Sequence, residues 1–359
     1  MGRKLSKKEF LSISLMLFAM LFGAGNLIFP PILGNQAANA TLTSLTGFAL
    51  TAVIFPVLGI LAIAKTKGIK NLGKRVGSRF AILYPAILFL AIGPGIAIPR
   101  NASLAFEMSV LPYLTEGSSI VLSRIFYTVI FFLVAYYLSI QPGKLVDRIG
   151  KIVTPVLFSL IIIFFIGGII NLPVNIGDAT GLYEAPFTTG ILEGYHTMDI
   201  LASLNFGLLV ATTIKSYKIK DEKRVIKYAS QIGLLAGSLL FIVYSMLAYI
   251  GMISSGKSQA FENGGQILFE ITNNVFGSFG SIILVTIFTL ACLTTVVGLV
   301  TSVSQYFSEL TNDKITYHQW LVIYSFISFV LANFGLNTIL KFSLPILASI
   351  YPTAIVLIV

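Results

Sequence analysis

The residues able to do chemistry in this chain are few, and they lie inside apolar sequence. In Leu21-Phe22-Gly23-Ala24-Gly25-Asn26-Leu27-Ile28-Phe29-Pro30-Pro31 two glycines flank an alanine, an amide follows, and two prolines come after. A second segment, Gly194 to Gly207, carries the acid Asp199, the hydroxyl Ser203 and the amide Asn205 among apolar neighbours. A third, Ala291-Cys292-Leu293-Thr294-Thr295, adds paired hydroxyls, with Thr301 and Ser302 further on. A helix broken at mid-membrane exposes amide N–H groups where its second half starts and carbonyls where its first half ends. Those ends attract opposite charges. Amides at Gly23, Ala24 and Gly25 then suit a carboxylate, while carbonyls before Gly23 and in the second segment suit Na⁺ or an ammonium group. A zwitterionic amino acid matches both. Each segment also has a purely structural reading, because small residues let helices pack closely and membrane threonines bond their own backbone.

The surrounding sequence places these segments in a bilayer. Hydrophobic residues make up 56% of the 359 and charged residues only 11%, against roughly 25% charged in an ordinary soluble domain. A helix crosses the hydrocarbon core with about 20 apolar residues. Runs of that length predict ten transmembrane helices near 10–36, 43–64, 80–99, 119–140, 152–171, 188–214, 226–253, 276–307, 318–335 and 338–359. The third is expected to continue at a tilt through Phe106. All but four of the 24 basic residues then fall before the first span or in alternate loops after it. The exceptions are Arg100, Arg124, Lys257 and Lys341. The positive-inside rule puts the rich face, and with it the N-terminus, in the cytoplasm. The net charge of +10 therefore reflects loop charge and does not point to nucleic acid. Residues 1–359 read as a single, all-α transmembrane domain without a linker.

The ends and the isolated polar residues carry less. Met1 to Phe10 is basic and leads into an apolar run like a secretory signal, but the run passes Pro30 without a cleavage site. Gly2 and Ser6 fit a myristoylation pattern that a polytopic protein does not need. The chain stops at Val359 with no polar tail, so a missing C-terminal portion is expected. Cys292 reads as a packing residue. His196 reads as structural and near the outer surface, and Arg100 with Glu107 as a pair, gating or interfacial, at the outer end of the third span. Asp199 has three open roles: cation ligand, partner of a substrate ammonium, or cap of the half-helix that follows, with His196 and Thr197 near enough to satisfy it locally. The two histidines, His196 and His318, form no metal motif, and no phosphate-binding loop is present. This argues against an enzyme and against ATP-driven transport.

The first and sixth spans, both irregular, lie five apart. Because five is odd, a repeated five-span unit enters the membrane from opposite sides in its two copies. That is the 5+5 inverted repeat with discontinuous helices 1 and 6 found in many secondary transporters.

Phe22 to Pro31, Ala97-Ile98-Pro99-Arg100 with Ser103 to Val110, and Glu193-Gly194-Tyr195-His196-Thr197-Met198-Asp199 together resemble the bacterial branched-chain amino acid:cation symporter family over essentially the whole chain. That family resembles the bacterial leucine transporter in fold. The resemblance implies uptake of leucine, isoleucine and valine with Na⁺ across the bacterial plasma membrane, by alternating access. It implies a sodium site at Ala19, Phe22, Ala291, Thr294 and Thr295, with Asn26 near the substrate carboxylate or a second ion. Gly23, Ala24 and Gly25 would meet the substrate, and Ser203 and Phe206 would line its pocket. Family members usually carry two further helices beyond the tenth. An apolar pocket separates ligands one methylene apart by only about 1–3 kcal/mol, so one site accepts all three side chains. Proton coupling is the alternative to sodium. A solute-gated channel is a weaker one, since no charged or carbonyl-lined ring runs through the full depth.

Overall fold

Ser6 and Glu9 start the first helix reciprocally: the Glu9 amide donates to the Ser6 hydroxyl at 3.2 Å, and the Ser6 amide to the Glu9 carboxylate at 2.8 Å. This capping box satisfies two of the donors that every helix start leaves open. The computed structural model describes residues 3–115, 117–256, 261 and 263–359, and among these it contains helices and no strands. Helix α1 (Lys7–Leu21) stops at Phe22, whose φ of −78° and ψ of 85° leave the helical region, and α2 (Ala24–Ala37) begins after Gly23. Ala38, at φ 45°, turns the chain into α3 (Thr41–Ala49), and a wide turn over Leu50–Ile54 leads to α4 (Phe55–Thr66).

After the short α5 (Ile69–Gly73), α6 (Phe80–Leu90) runs into a second wide turn. Gly93, at φ −86° and ψ −119°, leaves the helix there before α7 (Ala97–Ser109). Helices α8 (Ile120–Ser139) and α9 (Thr154–Asn171) follow, and then α10 (Pro186–Tyr195) and α11 (Asp199–Ser216), which meet at 46°. The remainder is α12 (Glu222–Ile253), α13 (Gly264–Phe276), α14 (Ser278–Leu310), α15 (Tyr317–Ala332) and α16 (Leu336–Ile358).

Among the described residues, by length and apolarity, six helical stretches reach across a membrane, and counting the bent pairs α10/α11 and α15/α16 gives eight. The expected number was ten. The difference arises at two places: a tight turn at Ala38 joins α2 to α3 and α4 in one stretch from Ala24 to Thr66, which merges the first two expected spans, and α15 with the first part of α16 counts as one bent pair, which merges the last two. Besides the single-turn α5, one longer element was missed. Residues 264–276, expected as a loop, form α13, capped by the Asn263 side chain accepting from the Gln266 amide at 3.2 Å. It lies against α2 so closely that a Cβ on Gly264 would stand 1.9 Å from the Ile28 carbonyl oxygen.

Burial separates centre from rim. The most apolar window of α14 is 67% buried and that of α8 only 22%, so α14 runs through the middle while α8 turns Leu122, Phe126 and Leu133 outward to lipid. On the basic face, Glu222 links α4 and α11 to α12 through Lys67 at 3.6 Å and Lys215 at 3.1 Å. The hydrogen bond from Lys215 holds the Glu222 carboxyl below its ordinary range.

Two seams bring backbone against backbone. Between α2 and α12, a Cβ on Gly34 would stand 1.9 Å from the Ala248 carbonyl oxygen, and one on Gly251 2.0 Å from that of Pro31. Between α3 and α10, Gly190 and Gly47 approach the carbonyls of Ser44 and Phe187 in the same way. Small residues permit this approach where lipid offers no hydrophobic drive for helices to associate. Gly34→Val should therefore lower the thermal unfolding temperature of the detergent-purified protein, at a cost of roughly 1–3 kcal/mol. Gly143→Ala, which meets nothing within 4 Å, should leave that temperature unchanged.

Candidate functional site

In an unbroken helix the Gly23 amide would donate to the Ala19 carbonyl and the Ala24 amide to that of Met20. Neither does. Gly23 N–H donates to the Asn26 side-chain oxygen at 2.9 Å, and Ala24 N–H to that of Asn101 at 2.8 Å. Asn101 is oriented by its own donation to the Ala97 carbonyl at 2.7 Å. The amides of Gly25 and Asn26 complete the first turn of α2, where a helix has no carbonyl of its own to offer.

The released Ala19 carbonyl faces α14. It accepts from the Thr294 hydroxyl at 2.9 Å and lies 3.5 Å from that of Thr295, while Thr294 also reaches the Ala291 carbonyl at 3.0 Å. Thr295 stands over the break itself: a Cβ on Gly23 would meet its hydroxyl at 2.7 Å. The structure thus brings Ala19, Ala291, Thr294 and Thr295 together. Phe22 sits at the break, its amide donating to Phe18 at 2.8 Å and its ring stacked on Phe18 and Tyr244.

The second break is a tight turn. His196 N–H donates to the Glu193 carbonyl and Met198 N–H to that of Tyr195, each at 3.1 Å. Met198 takes the left-handed conformation, φ 70° and ψ 12°, which is uncommon for a residue with a side chain. Asp199 opens α11 at 1% exposure. Its carboxylate accepts from the Asn26 side-chain amide at 2.8 and 3.0 Å and from the Tyr244 hydroxyl at 2.7 Å, and Asn26 also touches Tyr244. The position suits an anion, because a helix start is its positive pole. The local partners expected for Asp199 give way to residues from α2 and α12. Only Thr197 remains, accepting from the Asp199 amide at 3.4 Å. His196, half-buried, instead packs on Phe29 and lies 3.4 Å from Glu193.

Arg100 is not at the outer end of its span. It lies in the first turn of α7, 2% exposed, and its guanidinium donates to the His196 carbonyl at 2.9 Å and approaches that of Thr197 at 3.5 Å. The chain leaves the helix at Gly93 and α7 starts afresh at Ala97, so Arg100 and Glu107 stand two turns apart, about 10 Å along the axis. Glu107 accepts from the Leu336 amide at 3.0 Å and does not pair with Arg100.

Between the breaks lies a small cavity with a polar wall of Asn26, Arg100, Asn101, Asp199 and Thr295, met by Gly23 and Ala24 and closed by apolar Met20, Ile92, Ala202 and Leu299. It has room for about one water molecule, so an amino acid enters only as the helices around it part. Three expected lining residues are elsewhere. Gly25 is pressed between Arg100 and the second break, where a Cβ would stand 2.8 Å from the guanidinium and 3.0 Å from the Thr197 Cα. Ser203 turns toward α4, its hydroxyl donating to Ile200 at 2.7 Å and lying against Gly59. Phe206 is fully buried two turns beyond Asp199, past the end of the cavity. Sequence reasoning missed Asn101, Ala202 and Tyr244. The adjacent polar residues Arg100 and Asn101 inside an apolar span were the available signal.

Two interrupted helices joined across a buried polar cavity, in an all-helical membrane body, define a solute-transporter fold. The fold is shared with MhsT in complex with L-phenylalanine, at TM-score 0.64 and 17% identity, covering 100% of this chain and 89% of that one. It is shared also with Mhp1, a nucleobase-cation-symport-1 family transporter in a closed conformation with bromovinylhydantoin bound. There the TM-score is 0.61 with 16% identity, over 97% of this chain and 77% of that one. The chain belongs to the branched-chain amino acid transport protein family, whose profile matches residues 6–359. It is 42% identical over 361 residues to the branched-chain amino acid permease BraB of Bacillus subtilis, covering 100% of this chain and 81% of that protein. To the branched-chain amino acid transport system 2 carrier protein of Pseudomonas aeruginosa it is 40% identical over 352 residues, 98% of this chain and 79% of that one. The chain is accordingly an amino acid transporter of the bacterial plasma membrane and not an enzyme.

Asn101→Ala should leave the Ala24 amide without its acceptor, at a cost of about 1–3 kcal/mol, visible as a lower unfolding temperature. Asn101→Asp, which keeps an acceptor oxygen, should lose less.

Proposed function

We propose that this chain is a secondary symporter that imports leucine, isoleucine and valine with Na⁺, alternating access around the cavity between the two breaks. The substrate class follows from the family and from the names of its relatives. The sodium reading is carried by one observation: the Ala19 carbonyl, deprived of its helical amide, faces the hydroxyls of Thr294 and Thr295 beside Gly23. Neutral hard oxygens suit a monovalent cation, whereas divalent ions call for carboxylates. Among the described residues no group of three or more His, Cys, Asp or Glu side chains is placed to hold a metal ion. Phe22, at the break, would add its carbonyl. The substrate ammonium and carboxylate would lie between Asp199 and the start of α2, with Gly23, Ala24 and Asn26 around them. The aliphatic side chain would take up the apolar wall as the cavity widens. Each charge carried inward across 100 mV releases about 2.3 kcal/mol, and this drives accumulation.

The transmembrane domain would cross ten times as a 5+5 inverted repeat with its N-terminus in the cytoplasm. Three packing relations support that reading. Helix α12 lies along both α1 and α2; α3 and α4 lie along α10 and α11; and α7 packs on α14. A two-fold axis in the membrane plane, as such a repeat requires, would exchange the first two arrangements and map the third onto itself.

Proton coupling is the second reading, and Asp199 favours it as the one acid among the residues lining the cavity. Uptake of labelled leucine into proteoliposomes separates the two. An inward sodium gradient should drive accumulation that isoleucine and valine compete and lysine does not. Thr294→Ala and Thr295→Ala should each raise the sodium concentration for half-maximal uptake about ten-fold, equivalent to ~1.4 kcal/mol, while Ser245→Ala should not. Uptake driven by a pH gradient alone and lost in Asp199→Asn would move the coupling to protons.

A further inference from the structure

The carbonyl ends of the two breaks are neutralised differently. At the first, the Ala19 carbonyl meets only uncharged hydroxyls. At the second, the carbonyls of His196 and Thr197 face the Arg100 guanidinium. Arg100 is 2% exposed, no carboxylate lies within salt-bridge distance of it among the described residues, and its Nε is buried without a hydrogen-bond partner. A buried charge is tolerated only where the surroundings compensate it. Here the compensation is the negative pole at the end of α10, with Asp199 on the same cavity wall. Arginine does not lose its proton in proteins, so the compensation is permanent. The guanidinium is also pressed against α2, within 2.8 Å of where a Cβ on Gly25 would stand, so it already fills the space beside the carbonyls of the second break.

We infer that Arg100 is a resident cation that occupies the carbonyl end of the second break, so that the first break is the one exchangeable cation site and a single Na⁺ moves with each amino acid. This rests on the sodium-coupled reading of the same site. Arg100 and Asp199 sum to no net charge, and a zwitterionic substrate adds none. Each cycle therefore carries one positive charge. Arg100 is a positioning residue in this scheme: it holds α10 against α7 and does not travel.

The test uses the full chain in proteoliposomes at zero membrane potential. With a ten-fold inward sodium gradient, leucine should accumulate about ten-fold for one ion, against about a hundred-fold for two. Equilibrium dialysis of the purified protein with radiolabelled sodium and saturating leucine should find one sodium per chain. Arg100→Gln, which removes the fixed charge, should raise that number to two and make sodium-dependent leucine binding second order, whereas Arg100→Lys should keep one. A hundred-fold accumulation, or two sodium ions per unsubstituted chain, would overturn the inference and leave sodium coupling standing. One sodium in both the unsubstituted chain and a folded Arg100→Gln would overturn the role of Arg100. Accumulation indifferent to sodium would remove the sodium reading itself. Should Arg100→Gln fail to fold, the unsubstituted chain alone still decides between one ion and two.

Discussion

The structure depends on the diversion of two backbone amides. Asn26 and Asn101 take the N–H groups of Gly23 and Ala24, and the carbonyls those amides would have met are released one turn earlier. In a bilayer an unpaired peptide group costs several kcal/mol, so an interruption persists only if every freed group finds a partner. Side-chain amides are suited to the task, since each offers an acceptor to the diverted N–H and a donor to something else. The Asn101 donor returns to its own helix at Ala97, and the Asn26 donor crosses to Asp199. One residue thereby opens the first helix and ties it to the second.

The consequence is that the two breaks are coupled. Asn26, Asp199 and Tyr244 join α2, α11 and α12, and Arg100 joins α7 to the end of α10. Each partner is buried and would be left unsatisfied if its counterpart withdrew. Movement at one break therefore carries the other with it. On the proposed function, an ion seated at Ala19 and a substrate seated at Asp199 would act on the same small group of helices, and that proximity would couple one flux to the other.

Much of this was legible in the sequence, because backbone chemistry announces itself through glycine and proline. The break at Gly23, the irregular turn before Asp199 and the paired hydroxyls at Thr294 and Thr295 were all visible as departures from apolar monotony. What was not legible depends on depth and rotation. Arg100 looked interfacial because the restart of α7 at Ala97 cannot be seen from hydropathy alone. Ser203 is polar and in the right segment, yet it is turned some 40° from Asp199 on a 3.6-residue helix and faces Gly59 instead. Tyr244 gave no signal, since one hydroxyl in a long apolar span is ordinary. Helix α13 was hidden because its apolar face is too short for a span and its ends read as loop. The number of crossings is ambiguous for a related reason: a broken helix has no single length to measure.

The glycine seams bear on stiffness. Where α2 meets α12 and α3 meets α10, the contact is between backbones, with few side-chain rotamers to rearrange. Such a joint resists sliding but has little give, so the helices it unites behave as one slab. Compliance is then left to the places where helical hydrogen bonding is already interrupted, among them the two breaks and the wide turns at Leu50–Ile54, Ala91–Gly95 and Val146–Val153. The molecule is thus built as stiff plates with a few soft joints, and three of them, the two breaks and the turn at Ala91–Gly95, line the cavity that has to change size.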